Sequence, residues 1–157
     1  MGYDNPRIRK AQPSDAAAMT RCVEAAYRHY IARIGKPPGP MLDDYTEVVR
    51  KHQAFVAELD DHVVGVLVLI LQDDGILLDN VAVPPEHQGR GIGRKLMEFA
   101  ESETRNQRFT HLDLYTHESM TENIEVYKRL GYIETERRTV KGYQRVYMRK
   151  SLPKLAR

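Results

Sequence analysis

Three glycines fall within the five residues Gly89-Arg90-Gly91-Ile92-Gly93, after the apolar run Ile76 to Val83 with Pro84-Pro85 and immediately before a stretch of helical periodicity. Glycine at that density marks a backbone that curls tightly and leaves consecutive N–H groups exposed. Beyond it Leu96, Met97, Ala100 and Thr104 recur on one face, as an amphipathic helix requires. Strand, glycine turn and helix in this order are a phosphate-binding layout. They also aim the positive end of a helix dipole at the exposed N–H groups, a geometry suited to a pyrophosphate.

Two familiar phosphate loops are excluded on residues. The dinucleotide fingerprint needs glycine at position 94, where Arg94 stands, and a P-loop needs Gly-Lys followed by Ser or Thr.

Elsewhere the pattern alternates helix and strand. Arg7 to Ala11 is expected as a short first strand. Pro13, Ser14 and Asp15 then open a helix predicted to reach Ile34, where Gly35 ends it. Lys36-Pro37-Pro38-Gly39-Pro40 is a stiff loop, and a second helix is predicted from Leu42 to Arg50. Ala54 to Leu59, Val63 to Leu71 and Ile76 to Val83 read as antiparallel strands joined at Asp60-Asp61-His62 and Asp74-Gly75. His111 to Thr116 is another strand and Thr121 to Leu130 a helix closed by Gly131. Tyr132 to Glu136 and Arg145 to Arg149 are the last two strands.

At 157 residues the chain has the size of one domain, expected to span 1–157. Its 24 basic and 22 acidic side chains leave a net charge of +2 with no basic stripe, so nucleic acid is not an expected partner. The stretch Met1 to Ala11 lacks an apolar core, and Val63 to Leu71 is too short to cross a bilayer, so no membrane partner is expected either. The single cysteine, Cys22, lies in an apolar helical pattern and reads as a structural thiol in a reducing, cytoplasmic setting. His111 and His117 are the nearest approach to metal-ligand spacing, and no metal is expected. His29 and His87 are expected at the surface.

The pattern Gln88-x-x-Gly91-x-Gly93, preceded by a strand ending in Val81-Ala82-Val83-Pro84, resembles the acyl-CoA signature of the GNAT acetyltransferase superfamily. The segment from Asn123 through Tyr127 to Tyr132 is similar to a second motif of that family, in the right order. The succession of elements extends the resemblance over nearly the whole chain, with the first helices matching in layout only. The resemblance implies an α/β (α+β) fold whose central mixed, mostly antiparallel sheet is flanked by helices, with splayed fourth and fifth strands. It also implies acetyl-CoA as the donor, with coenzyme A as product, and a small-molecule amine as acceptor, with a homodimer through the late strands as one arrangement. Val81, Ala82 and Val83 would meet the pantetheine arm, and Gln88, Gly89, Arg90, Gly91, Ile92 and Gly93 the pyrophosphate. Asn123 matches the asparagine that reaches the cofactor, and Tyr127 the tyrosine beside the thioester sulfur.

Chemistry asks for a neutral amine, an oxyanion donor and a proton for the thiolate. Tyr127 is the candidate acid, because a phenol near 10 and a thiol near 8.5 make donation nearly balanced. The N–H of Val81 or Ala82 is the candidate oxyanion donor. Asp79 is the candidate base, since period-two alternation puts it on the face of Val81 and turns Asn80 away. His117 and Glu118 follow a strand and could line the cleft. Tyr27, Tyr30, Arg33 and Tyr45 flank the proline loop as candidate acceptor contacts, with helix-to-sheet packing as the other reading of the two tyrosines at helical spacing. A non-catalytic acyl-CoA-binding module is the rival function from a different class.

Overall fold

A computed structural model describes residues 5–153, so part of the sequence reading from Met1 falls outside the described residues. The strands are β1 (Arg7–Lys10), β2 (Gln53–Leu59), β3 (His62–Leu71), β4 (Ile76–Ala82), β5 (His111–His117), β6 (Ile133–Val140) and β7 (Tyr143–Ser151). They form one sheet in the order β1-β2-β3-β4-β5-β7-β6. Only β4 and β5 run parallel.

The turns follow from local chemistry. Asp60 and Asp61, at φ 50° and 65°, take the left-handed conformations that a two-residue hairpin demands. Lys141 and Gly142 do the same at φ 52° and 82°. That third hairpin extends both late strands beyond their expected limits, because β6 is exposed on nearly every residue and shows no apolar alternation to read.

The first helix differs from expectation. A 3₁₀ turn, Pro13–Asp15, leads into α1 (Ala16–Tyr27). A second 3₁₀ turn, Arg28–Tyr30, then separates it from α2 (Ile31–Ile34). Residues three apart eclipse in a 3₁₀ turn, and the break brings the Tyr27 and Tyr30 rings to 6.3 Å. Gly35 does end the segment, at φ 90° with its N–H on the Ile31 carbonyl at 2.8 Å. The next helix, α3 (Tyr45–Lys51), begins later than expected, because Asp44 caps it by accepting the Thr46 N–H at 3.0 Å.

Helices cover both faces. Met19, Cys22, Val23 and Ala26 of α1, with Tyr45, pack on Ala54, Val56, Val66 and Val68. The opposite face carries α4 (Ile92–Asn106) and α5 (Thr121–Arg129), whose Ile92, Leu96, Ala100 and Ile124 pack on Phe55, Leu67, Leu69 and Leu114. The four α4 residues named from the sequence, Leu96, Met97, Ala100 and Thr104, are all buried. Among the described residues no helix is long and apolar enough to cross a membrane.

Gly65 sets how closely α4 approaches the sheet. A Cβ there would lie 2.9 Å from Leu96 Cδ1 and 3.3 Å from Ile92 Cγ2. Both neighbours are fully buried, so neither can retreat without disturbing the core. Gly65→Ala is therefore expected to destabilise the fold by about 1–3 kcal/mol, read as a lower midpoint in urea or thermal unfolding. A variant as stable as the parent would show that α4 is not seated by this contact.

Candidate active site

Strand β4 pairs with β5 over only three residues, Ile76 to Leu78, and the two then part as expected. The parting coincides with an irregularity against β3, where Leu69 faces Leu78 but Val68 faces Asn80, leaving Asp79 as an extra residue. The bulge switches the alternation. Leu78 shares the α4/α5 face with Val81 and Val83, while Asn80 and Ala82 belong to the α1 face.

Asn80 is buried and anchors a chain of hydrogen bonds. The Tyr27 hydroxyl lies 3.0 Å from both Asn80 Oδ1 and the Val81 carbonyl. Asn80 Nδ2 donates to the Tyr45 hydroxyl at 2.9 Å, which in turn donates to the Pro40 carbonyl at 2.7 Å. The proline loop is thereby tied to the edge of β4.

A cavity occupies the gap between the strands. Its α4/α5 side is lined by Val81, Asn123, Tyr127 and Met120. On the other side are Tyr27, Pro38, Tyr115, His117, Tyr143 and Arg145, with Asp79 between. The Tyr115 hydroxyl donates to Asp79 Oδ1 at 2.7 Å. Burial pushes the phenol pKa values of Tyr27, Tyr115 and Tyr127 above their ordinary 10, and the Asp79 charge adds to the rise at Tyr115. These rings are proton-bearing donors throughout the neutral range.

The loop after β4 forms a second, shallower depression lined by Val83, His87, Gln88, Gly89 and Gly91 to Arg94. Gln88 Nε2 donates back to the Val83 carbonyl at 3.0 Å, pinning the loop to the strand end. Gly91 caps α4 at φ 80°, a conformation costly for residues with a Cβ.

Several sequence expectations are redistributed. Tyr27 and His117 line the cavity, whereas Tyr30 and Arg33 do not. Tyr30 is buried and shares a side-chain hydrogen bond with Asn123. Arg33 donates to the Ser119 carbonyl and pairs with Glu122 at the start of α5. Both residues therefore clamp α5. Tyr45 is a packing residue, and Glu118 is exposed outside the cavity lining. His29 is exposed, but His87 is only half-exposed, and its Nδ1 is buried with no partner among the described residues. The Cys22 thiol is buried, 3.9 Å from the Ala82 carbonyl, and its pKa is pushed up to about 12 by burial and by Glu86. It is unsuited to act as a nucleophile.

Sequence reasoning missed Tyr115, Tyr143 and Arg145. Their one local signal was alternation: Leu112, Leu114, Val146 and Met148 are buried toward α4, which turns Tyr115, Tyr143 and Arg145 to the opposite face.

The acetyltransferase (GNAT) family profile matches residues 19–132. The chain belongs to this family. No curated protein sequence matches the GNAT chain, but solved structures share its fold. The PaiA N-acetyltransferase of Thermoplasma acidophilum, solved with coenzyme A, aligns with a TM-score of 0.78 at 16% identity, over 94% of this chain and 99% of its own. An acetyltransferase of Thermus thermophilus gives 0.74 at 19% identity, over 97% and 100%. A GNAT family acetyltransferase of Elizabethkingia anophelis with acetyl-CoA bound gives 0.71 at 18% identity, over 95% and 99%.

His117 makes the stability of this GNAT domain pH-dependent. Its Nδ1 accepts the Ser119 N–H at 3.0 Å, and burial holds its pKa below the ordinary 6.5. The unfolded chain therefore binds more protons at this position than the folded one. Its contribution to stability is complete above about 6.5 and falls as pH descends from there toward the folded value. His117→Asn keeps an acceptor that does not titrate, so its urea midpoint should lose less than the parent's between pH 7.5 and 5. Equal losses would remove His117 from the account.

Proposed function

We propose that the protein transfers the acetyl group of acetyl-CoA to a primary amine of a small molecule, by direct attack in a ternary complex. The observation that carries this reading is the cavity through the β4–β5 gap. It gives Asn123 and Tyr127 on one face, and Asp79 on the other, access to the same space.

The residues present fit acetyl-CoA. A helix start leaves its first N–H groups without intrahelical partners, and His87, whose buried Nδ1 has no partner among the described residues, lines the same depression. At Gly89 and Gly91 no atom lies within 4 Å of where a Cβ would stand, so the cradle is open. Gln88 to Gly93 would hold the pyrophosphate, with Arg90 and Arg94 adding positive charge. The edge of β4 at Val81, Ala82 and Val83, past its last pairing with β5, would hydrogen-bond the pantetheine arm. The coenzyme A and acetyl-CoA bound in similar structures support this assignment.

In the reaction the amine lone pair attacks the thioester carbon, the C–N bond forms and the C–S bond breaks. The N–H of Val81 or Ala82 would meet the charge developing on the acetyl oxygen. A neutral amine carries one proton more than the amide product; Asp79 accepts it and returns it to the departing sulfur, so the carboxylate is regenerated and coenzyme A leaves as a thiol. The Tyr115 hydroxyl orients the Asp79 carboxylate for this task. Tyr127 takes a role different from a balanced proton donor. Burial lifts its pKa further from that of a thiol, so complete transfer is uphill, and its contribution is a hydrogen bond to the developing thiolate.

A small acceptor follows from the roof of the cavity. Lys36 Nζ donates to the Gly142 carbonyl at 3.0 Å, and the Tyr143 hydroxyl donates to the Pro37 carbonyl at 2.6 Å. A mouth bridged in this way suits a small molecule better than a polypeptide.

Tyr127→Phe should lower kcat by about 10²-fold while the acetyl-CoA Kd stays within about twofold, read by thiol release and calorimetry. Gly91→Val places a β-branched residue at positive φ and should raise that Kd by at least about tenfold. In the parent the rate should climb with pH as the amine deprotonates, with no decline from Tyr127 below pH 10. Acetyl-CoA bound tightly, with no thiol released across a broad panel of amines, would reassign the protein as a non-catalytic acyl-CoA-binding module.

A further inference from the structure

Among the described residues that line the cavity, Arg145 is the one permanent cation and Asp79 the one carboxylate. They do not neutralise each other by contact. The Arg145 guanidinium lies over the Tyr115 ring, 3.9 Å from its centroid, and the hydroxyl of that same ring holds Asp79. Tyr115 thus touches the cation through its ring and the carboxylate through its hydroxyl.

The position of Arg145 is fixed by β-sheet register. It lies on β7 opposite His117 of β5, and its Nη1 donates to the Tyr147 hydroxyl at 3.1 Å. Among the described residues it makes no ion pair with a carboxylate, although its β6 neighbour Arg138 is paired with Glu136 at 3.0 Å. Lys36, another cation near the mouth, is committed to the Gly142 carbonyl and stands 4.1 Å from the centre of the Tyr143 ring. A half-buried guanidinium held over an aromatic ring still presents its remaining N–H groups as a planar fork. That fork matches a carboxylate better than a point charge does.

We propose that the acceptor is an amino acid or a close derivative, its carboxylate taken by Arg145 while its amine lies at Asp79. The proposal rests on the acceptor side of the cavity being where the amine binds, and it adds the chemical class. Asp79 and Arg145 flank Tyr115, so a molecule spanning that ring presents its anionic end and its nucleophile to opposite partners. An amine without the carboxylate would leave the guanidinium desolvated and unmatched, which is the basis of discrimination.

The test uses matched pairs. N-acetylated standard amino acids and their carboxamides are titrated calorimetrically into the full-length protein saturated with coenzyme A. The free amino acids and their amides are assayed in parallel for thiol release from acetyl-CoA. For at least one side-chain class the acid should bind about 10- to 100-fold more tightly than the amide. Arg145→Gln should compress that ratio to within about threefold, and Arg145→Lys should retain part of it. An unchanged coenzyme A affinity shows that each variant is folded, because the donor loop lies on the other face. A ratio near unity for every side chain in the parent, or one that survives Arg145→Gln, overturns the assignment. Arg145-dependent preference for acids without any thiol release would leave the carboxylate site at Arg145 standing and would overturn the transfer reading, and with it the role of the amino acid as acceptor.

Discussion

Everything specific about this molecule depends on β4 and β5 ceasing to pair after Leu78. A parallel pair normally continues until its strands end, because unpaired N–H and C=O groups in an interior are costly. Here the bulge at Asp79 redirects β4, and Tyr27, Asn80 and Tyr45 hold the released edge with side-chain hydrogen bonds. The sheet is left with a slot at its centre that neither helical layer fills. A ligand on one face can therefore meet a ligand on the other without either layer moving.

The tyrosines around the slot divide the electrostatic work. Tyr27, Tyr115 and Tyr127 are kept neutral by burial, so they supply dipoles and hydrogen-bond donors but no charge. Charge is confined to Asp79 and Arg145, with the Tyr115 ring between them. In a partly desolvated cavity, so few charges have a large influence on what can enter.

How much of this the sequence reveals depends on how local each determinant is. The glycine turn, the α4 face and the proline loop were legible because their backbone and periodicity signals sit within a few residues of the feature they specify. The family resemblance supplied Asn123 and Tyr127 as candidates, which no periodicity could have singled out. Tyr30 and Arg33 looked like cavity residues because they flank the proline loop, yet the 3₁₀ turn at Arg28–Tyr30 directs them to α5 instead. Arg145 was hidden because its importance comes from facing His117 across a strand pair, and register across distant strands leaves no trace in a local pattern. The bulge escaped for a similar reason: strict alternation put Asp79 on the face of Val81, whereas the extra residue in β4 turns it away from that face toward Tyr115.

The bridge over the mouth has a consequence for how the molecule matures. Lys36 and Gly142, like Pro37 and Tyr143, stand 106 positions apart, the greatest separation of any side-chain hydrogen bond among the described residues. Closing so long a segment carries a heavy entropic cost until the intervening strands are in place. The contact that seats α4 on β3 through Gly65, by contrast, joins residues that are only about thirty positions apart. The roof over the cavity therefore cannot close until the hairpin of β6 and β7 is in place.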